Sequence, residues 1–110
     1  MKKIKVKISI NDYQIESTGK LENAVLEVND KDILMLFDMS KFTLVRKNKD
    51  FEIKIDFKNK KVSYKIPEIT DNIIDEITIL SLTNYDKEYN IKYRMEENLF
   101  NLNIKYETIE

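Results

Sequence analysis

Phe51-Glu52-Ile53-Lys54-Ile55-Asp56-Phe57-Lys58-Asn59-Lys60-Lys61-Val62-Ser63-Tyr64-Lys65-Ile66 decides the fold. Phe51, Ile53, Ile55 and Phe57 alternate with Glu52, Lys54, Asp56 and Lys58. Successive side chains of a strand point to opposite faces, so strict alternation marks a strand with one face buried. Lys58-Asn59-Lys60 then reads as a hairpin tip, and Val62, Tyr64 and Ile66 return in the same phase. Two antiparallel strands joined by a short turn, apolar on one face and charged on the other, follow from this stretch alone.

The same pattern extends in both directions. Ile4, Val6, Ile8 and Ile10 alternate with Lys3, Lys5, Lys7 and Ser9, and Asn11-Asp12 reads as a tight turn. Tyr13, Ile15, Ser17, Gly19 and Leu21 share the next face. Ala24, Leu26 and Val28 follow, then a turn at Asn29-Asp30-Lys31. Ile33 to Phe37 is continuously apolar, as expected of a strand covered on both sides or passing under another segment. Phe42, Leu44 and Arg46 alternate with Thr43, Val45 and Lys47 before a turn at Asn48-Lys49-Asp50. Near the C-terminal end, Ile91, Tyr93 and Met95, a turn at Glu96-Glu97-Asn98, and Phe100, Leu102, Ile104 and Tyr106 complete the series. Only 67–84 is ambiguous. Ile69, Ile73, Ile77 and Leu80 recur at helical spacing, but β-branched residues favour a loop or single turn over 67–73 and a strand over 76–84.

The expected fold is therefore all-β, one domain over 1–110. It is an antiparallel up-and-down barrel of about eight to nine strands, because hairpin-length connections make a meander and closure removes exposed edges. The length of 110 residues suits one domain, and such a chain buries roughly two-thirds of its unfolded surface without covalent staples. With one glycine and one proline, the turns must be made by Asn, Asp and Lys.

Composition removes most chemistry. There is no cysteine and no histidine, so thiolate catalysis, a histidine base, a catalytic triad and a soft-metal site have no residues to use. The absence of cysteine suits a reducing compartment, and a cytoplasmic location is expected. Met1-Lys2-Lys3 leads straight into alternation with no apolar core, so no signal peptide is expected. The apolar run 33–37 is too short to span a bilayer. Acidic clusters (Asp30/Asp32, Asp71/Asp75/Glu76, Asp86/Glu88, Glu96/Glu97) fall mostly in turns and match no calcium-loop spacing, so they read as solvated carboxylates. The only glycine is Gly19, which leaves neither a phosphate-binding loop nor a nucleophile elbow. No enzyme activity, cofactor or metal is expected.

The net charge of −1 argues against a nucleic-acid-coating surface. Residues 41–65 hold nine Lys/Arg and three acids, while 66–90 hold six acids and one lysine. The aromatics of the basic stretch, however, share the buried phase and are not free to stack on bases.

The order of features resembles the YwiB-like family of small bacterial proteins of unknown function. The resemblance rests on the Lys-rich strand Lys2 to Ile10, on Ile15-Glu16-Ser17-Thr18-Gly19-Lys20-Leu21 and on Phe42-Thr43-Leu44-Val45-Arg46-Lys47. The Phe57 strand end, Tyr64-Lys65-Ile66-Pro67 and Ile91-Lys92-Tyr93 add to it. Asn48 and Ile69 stand where that family usually has glycine. The resemblance implies a calycin-type, lipocalin-like barrel and carries no catalytic residues.

The interior holds the candidate site. Ser17, Arg46, Tyr64, Tyr93 and Tyr106 are polar or charged yet in phase with buried apolar neighbours. An inward arginine needs a partner, and tyrosines bring a polar tip on an apolar body. Together they are expected to orient a small hydrophobic or amphipathic ligand. The competing expectation places Arg46 at the rim with the tyrosines bonded to backbone. The barrel would then be a filled scaffold, a homodimer through Ile33–Phe37 with an apolar patch at Leu34 and Leu36. Weak binding of RNA or an acidic partner through 41–65 is a third reading.

Overall fold

Eleven strands follow one another around a nearly closed antiparallel sheet in the computed structural model, which describes residues 1–66 and 73–109, with Ile73 as backbone only. They are β1 (Lys2–Ile10), β2 (Tyr13–Glu22), β3 (Val25–Asp30), β4 (Ile33–Asp38), β5 (Thr43–Lys47), β6 (Glu52–Asp56), β7 (Lys61–Lys65), β8 (Ile73–Glu76), β9 (Thr78–Tyr85), β10 (Glu88–Met95) and β11 (Asn98–Thr108). Each pairs with its neighbour in sequence, except that β8 does not pair with β9, and β1 closes the sheet against β11. The meander expected from the hairpin-length connections is the topology found. There is no helix among the described residues, and hence none long and apolar enough to cross a membrane.

The strand number is eleven, not eight or nine, and the ambiguous stretch accounts for part of the difference. β8 pairs with β7, with Lys61 opposite Glu76, while β9 pairs with β10, with Thr78 opposite Arg94. The two are halves of one bent strand that leaves one neighbour and takes the other, so the barrel has ten staves. Ile77 sits at the bend. Its side chain is buried and its N–H donates to the Lys60 carbonyl at 3.0 Å. Leu80 is an extra residue at a bulge opposite Lys92 and Tyr93. The question of a turn or helix over 67–72 lies outside the described residues.

Register explains the core. In β1, Ile4, Val6 and Ile8 are buried and Lys3, Lys5 and Lys7 exposed. Ile8 faces Ile104 of β11 and Ile15 of β2, a row of branched side chains across three strands. Each such side chain removed from water contributes about 1.5–3 kcal/mol. β4 is paired along both edges, to β3 and β5, and its Met35 and Phe37 are buried. Leu34 and Leu36 on it are half-buried.

The turns solve the shortage of glycine in two ways. Among the described residues, eight non-glycine residues adopt a left-handed backbone, including Asn11 (φ 53°), Lys31 (58°), Lys60 (59°), Lys87 (62°) and Glu96 (57°). Elsewhere a short side chain replaces the missing backbone partner. Asp38 Oδ1 accepts the N–H groups of Ser40 and Lys41 at 3.0 Å each, and these bonds hold its carboxyl below the usual range. Asn48 keeps an ordinary φ. Its carboxamide oxygen accepts the N–H groups of Asp50 (2.7 Å) and Phe51 (3.0 Å). Asp56 does the same for Lys58 and Asn59 at 3.1 Å each.

Candidate functional site

The tips at 11–12, 31–32, 48–51 and 96–97 lie at one end of the barrel, here the upper end; those at 23–24, 39–42, 57–60 and 86–87 lie at the other. The lower half is filled by aromatic rings. Phe37 meets Tyr89 edge-on at 5.0 Å between centroids, Phe42 lies 5.2 Å from Phe57, and Phe57 meets Tyr93 edge-on at 5.5 Å. Tyr93 then stacks on Phe100 at 5.1 Å with the planes 14° apart. Phe42 takes a left-handed φ of 58°, unusual for a bulky residue. Its contacts with Phe37, Phe57 and Tyr89 hold it there.

Above this plug lies a pocket of about 200 Å³. Ile53 and Ile55 of β6, Val62 of β7 and Ile77 form one wall; Ile10 of β1, Phe100 of β11 and Met95 of β10 form the other. Tyr93 is buried and links the pocket to the aromatic plug below, and Arg46 and Tyr64 bring polar groups to the lining. Arg46 is the one charged residue among the described lining residues.

Arg46 comes from β5, opposite Met35 and Ile53, which is why its stem lies among apolar neighbours. Its Nε is buried with no hydrogen-bond partner, and among the described residues no carboxylate forms an ion pair with it. The guanidinium carbon lies 5.6 Å from the Tyr13 ring centroid, and the Tyr13 hydroxyl donates to Asp30 Oδ2 at 2.6 Å. That bond, followed by burial, raises the Tyr13 pKa against the opposing pull of Arg46. Asp30 thus fixes the ring that faces the cation.

Tyr64 and Tyr93 complete the polar group. The Tyr64 hydroxyl donates to Met95 Sδ at 3.0 Å, and burial, then Asp75 and Glu96, raises its pKa. Burial pushes Tyr93 up to about 12, and the Arg46 charge pulls the other way. Both hydroxyls stay protonated as donors at neutral pH.

Of the five residues expected from the sequence, the structure brings three together: Arg46, Tyr64 and Tyr93. Tyr106 faces Val6 low on β11, near Tyr89 and Asp86, outside the pocket. Ser17 also lies outside it. β2 pairs with β3 only from Gly19 to Glu22, and above Gly19 the two strands separate. Ser17 Oγ reaches toward the Asn29 and Thr18 carbonyls at 3.4 Å each, across that split. Gly19 permits the close approach just below. A Cβ there would lie 2.4 Å from the Glu27 carbonyl oxygen.

Sequence reasoning did not single out Tyr13, Asp30, Ile77, Met95 or Phe100. A signal existed for Phe100, since the tip at 96–97 sets Tyr93 opposite it. None existed for the Tyr13–Asp30 pair, whose partners sit on two strands that do not hydrogen-bond at that height. No family model, no curated protein and no solved structure matches this chain.

Proposed function

We propose that the protein is a non-enzymatic, calycin-like binding module that holds one small amphipathic ligand in the upper pocket, with Arg46 and the tyrosines orienting it. The observation that carries this reading is the unsatisfied Nε of Arg46 beside an otherwise apolar pocket. A buried donor without an acceptor costs about 1–3 kcal/mol, and a ligand acceptor would offset that cost. The lipocalin-like character and a cytoplasmic location belong to the same proposal and rest on the family resemblance and the lack of cysteine. Native mass spectrometry of freshly purified protein, beside a denatured run, tests it. A co-purifying small molecule that leaves on denaturation is expected. An apo mass, together with no change in Tyr93-region signals on ligand screening, would remove the reading.

Self-association is the second reading, and one surface favours it. Residues 77–85 carry no charge in a chain that is 35% charged. β9 is hydrogen-bonded along one edge only, with Leu80 51% and Leu82 47% exposed. Uncharged free edges invite strand pairing, and a second copy adding β9 to β9 meets no charge repulsion along that stretch. β4 is a weaker candidate because both of its edges are occupied. Sedimentation equilibrium of the wild type and Leu82→Lys decides this reading, with loss of the dimer in the variant as the expected result. For RNA binding the support is thinner, since Phe57 of the basic stretch is buried and Tyr64 half-buried.

A further inference from the structure

We infer that the upper pocket selects a small monocarboxylic acid whose body is about the size of one aromatic ring. This rests on the binding-module reading and adds the chemical class of the ligand.

Charge comes first. Arg46 brings a guanidinium cation to the pocket lining. Arg46 is half-buried, and its Nε is buried at the pocket wall without an acceptor, which is costly unless a ligand oxygen answers it. Ring contact with Tyr13 supplies only a fraction of that compensation. Asp30 is already engaged by the Tyr13 hydroxyl, and no described carboxylate ion-pairs with Arg46. What the arrangement lacks is an anionic oxygen at Nε. A carboxylate matches the planar fork of a guanidinium through two parallel hydrogen bonds. One cation against one pocket also sets the charge of the ligand at minus one, which disfavours phosphate monoesters and diacids.

A second donor points to the same head group. Tyr64 lines the pocket with Arg46, yet its hydroxyl is spent on a thioether, a weak acceptor. A ligand carboxylate oxygen is a much stronger acceptor, and turning the hydroxyl from Met95 to it gains a charge-assisted bond.

Volume sets the body. An apolar cavity of about 150 Å³ holds one benzene ring, so about 200 Å³ holds a ring and a short acidic arm. A long acyl chain has nowhere to extend, because Tyr93, Phe57 and Phe42 close the barrel below.

Isothermal titration of the full chain with phenylacetate, its neutral isostere phenylacetamide, and dodecanoate tests the inference. The Arg46 Nε–H resonance is followed in parallel by NMR. Phenylacetate is expected to bind about tenfold or more tighter than the amide, as a charge-assisted bond requires, and to shift the Nε–H resonance. Arg46→Met should abolish the acid's advantage while leaving the weak binding of the amide. Tyr64→Phe, which keeps the ring, should weaken acid binding several-fold. Equal binding of acid and amide would overturn the carboxylate assignment while the pocket reading survives. Tightest binding by dodecanoate would overturn the size assignment. No binding by any of the three would overturn both this inference and the binding-module reading.

Discussion

Arg46→Met should make the protein more stable while disabling the pocket. The substitution removes a buried Nε that has no partner, and leaving such a donor unsatisfied costs about 1–3 kcal/mol. It also removes the contact with the Tyr13 ring at 5.6 Å; Tyr13 is 38% exposed, and a contact of this kind at an exposed site is worth about 0.5–1 kcal/mol. Methionine is unbranched and fills the space between Met35 and Ile53 without a new polar atom. The balance is a gain of about 1 kcal/mol, which for a domain of this size raises Tm by about 5 °C. With a urea dependence of about 1–3 kcal/mol/M, the midpoint moves up by about 0.5 M. Thermal and urea unfolding, followed by far-UV circular dichroism at neutral pH, give both numbers. A variant less stable than wild type by 1 kcal/mol or more would refute the reasoning, because the guanidinium would then be making structural contacts. Stability given up at a binding residue is the usual sign of function.

Other substitutions test the frame around the pocket. Gly19→Ala places a methyl 2.4 Å from the Glu27 carbonyl oxygen. The overpacking cost of about 1–3 kcal/mol exceeds the roughly 0.4–1 kcal/mol gained from a stiffer unfolded chain, so a lower urea midpoint is expected, and an unchanged one would deny the close approach of β2 and β3. Burial raises Tyr93 from an ordinary value of 10.0 to about 12. The neutral hydroxyl therefore favours the folded state fully below pH 10, and that contribution is lost as pH rises from 10 to 12. Wild type should lose about 1 kcal/mol more than Tyr93→Phe between pH 9 and 11, and parallel pH profiles of the two would contradict this. Lys60→Gly and Lys87→Gly relieve left-handed backbones at φ 59° and 62°. Each should raise stability by about 0.5–1 kcal/mol, and a drop in Tm for both would show that the lysine side chains hold those turns.

The strands were legible because nearly every one is buried on a single face. Ile53 and Ile55 against Lys54 leave no choice of phase, and the hairpin tip at 58–60 sets the partner. Part of the miscount lies at 73–85, where both faces carry apolar residues (Ile74, Ile77, Leu80, Leu82) and the strand changes partners at mid-length. Periodicity has no signal for a change of neighbour. The same limit governed the site. Phase correctly grouped Arg46, Tyr64 and Tyr93 on the inner face, but it reports which way a side chain points, not how high it sits. Tyr106 shares the inward phase of Ile104 yet lies below the pocket, and Ser17 sits where β2 leaves β3. Height follows from register across several strands, and a single sequence does not contain it.

The order of strands in space repeats their order along the chain, with one exception, and this has a kinetic meaning. From β1 to β8, and again from β9 to β11, each pairing joins strands that are close neighbours in sequence, so the loop entropy to be overcome is small at each step. Among the described strands, only β1 against β11, with Ile4 opposite Thr108, joins distant parts of the chain. During synthesis β1 precedes the other described strands and waits for β11 with one edge unsatisfied. Lys3, Lys5 and Lys7 line its outer face, and lysines on an open edge discourage pairing with other chains. The lysines of β1 act as a guard for a strand that is made long before its second partner.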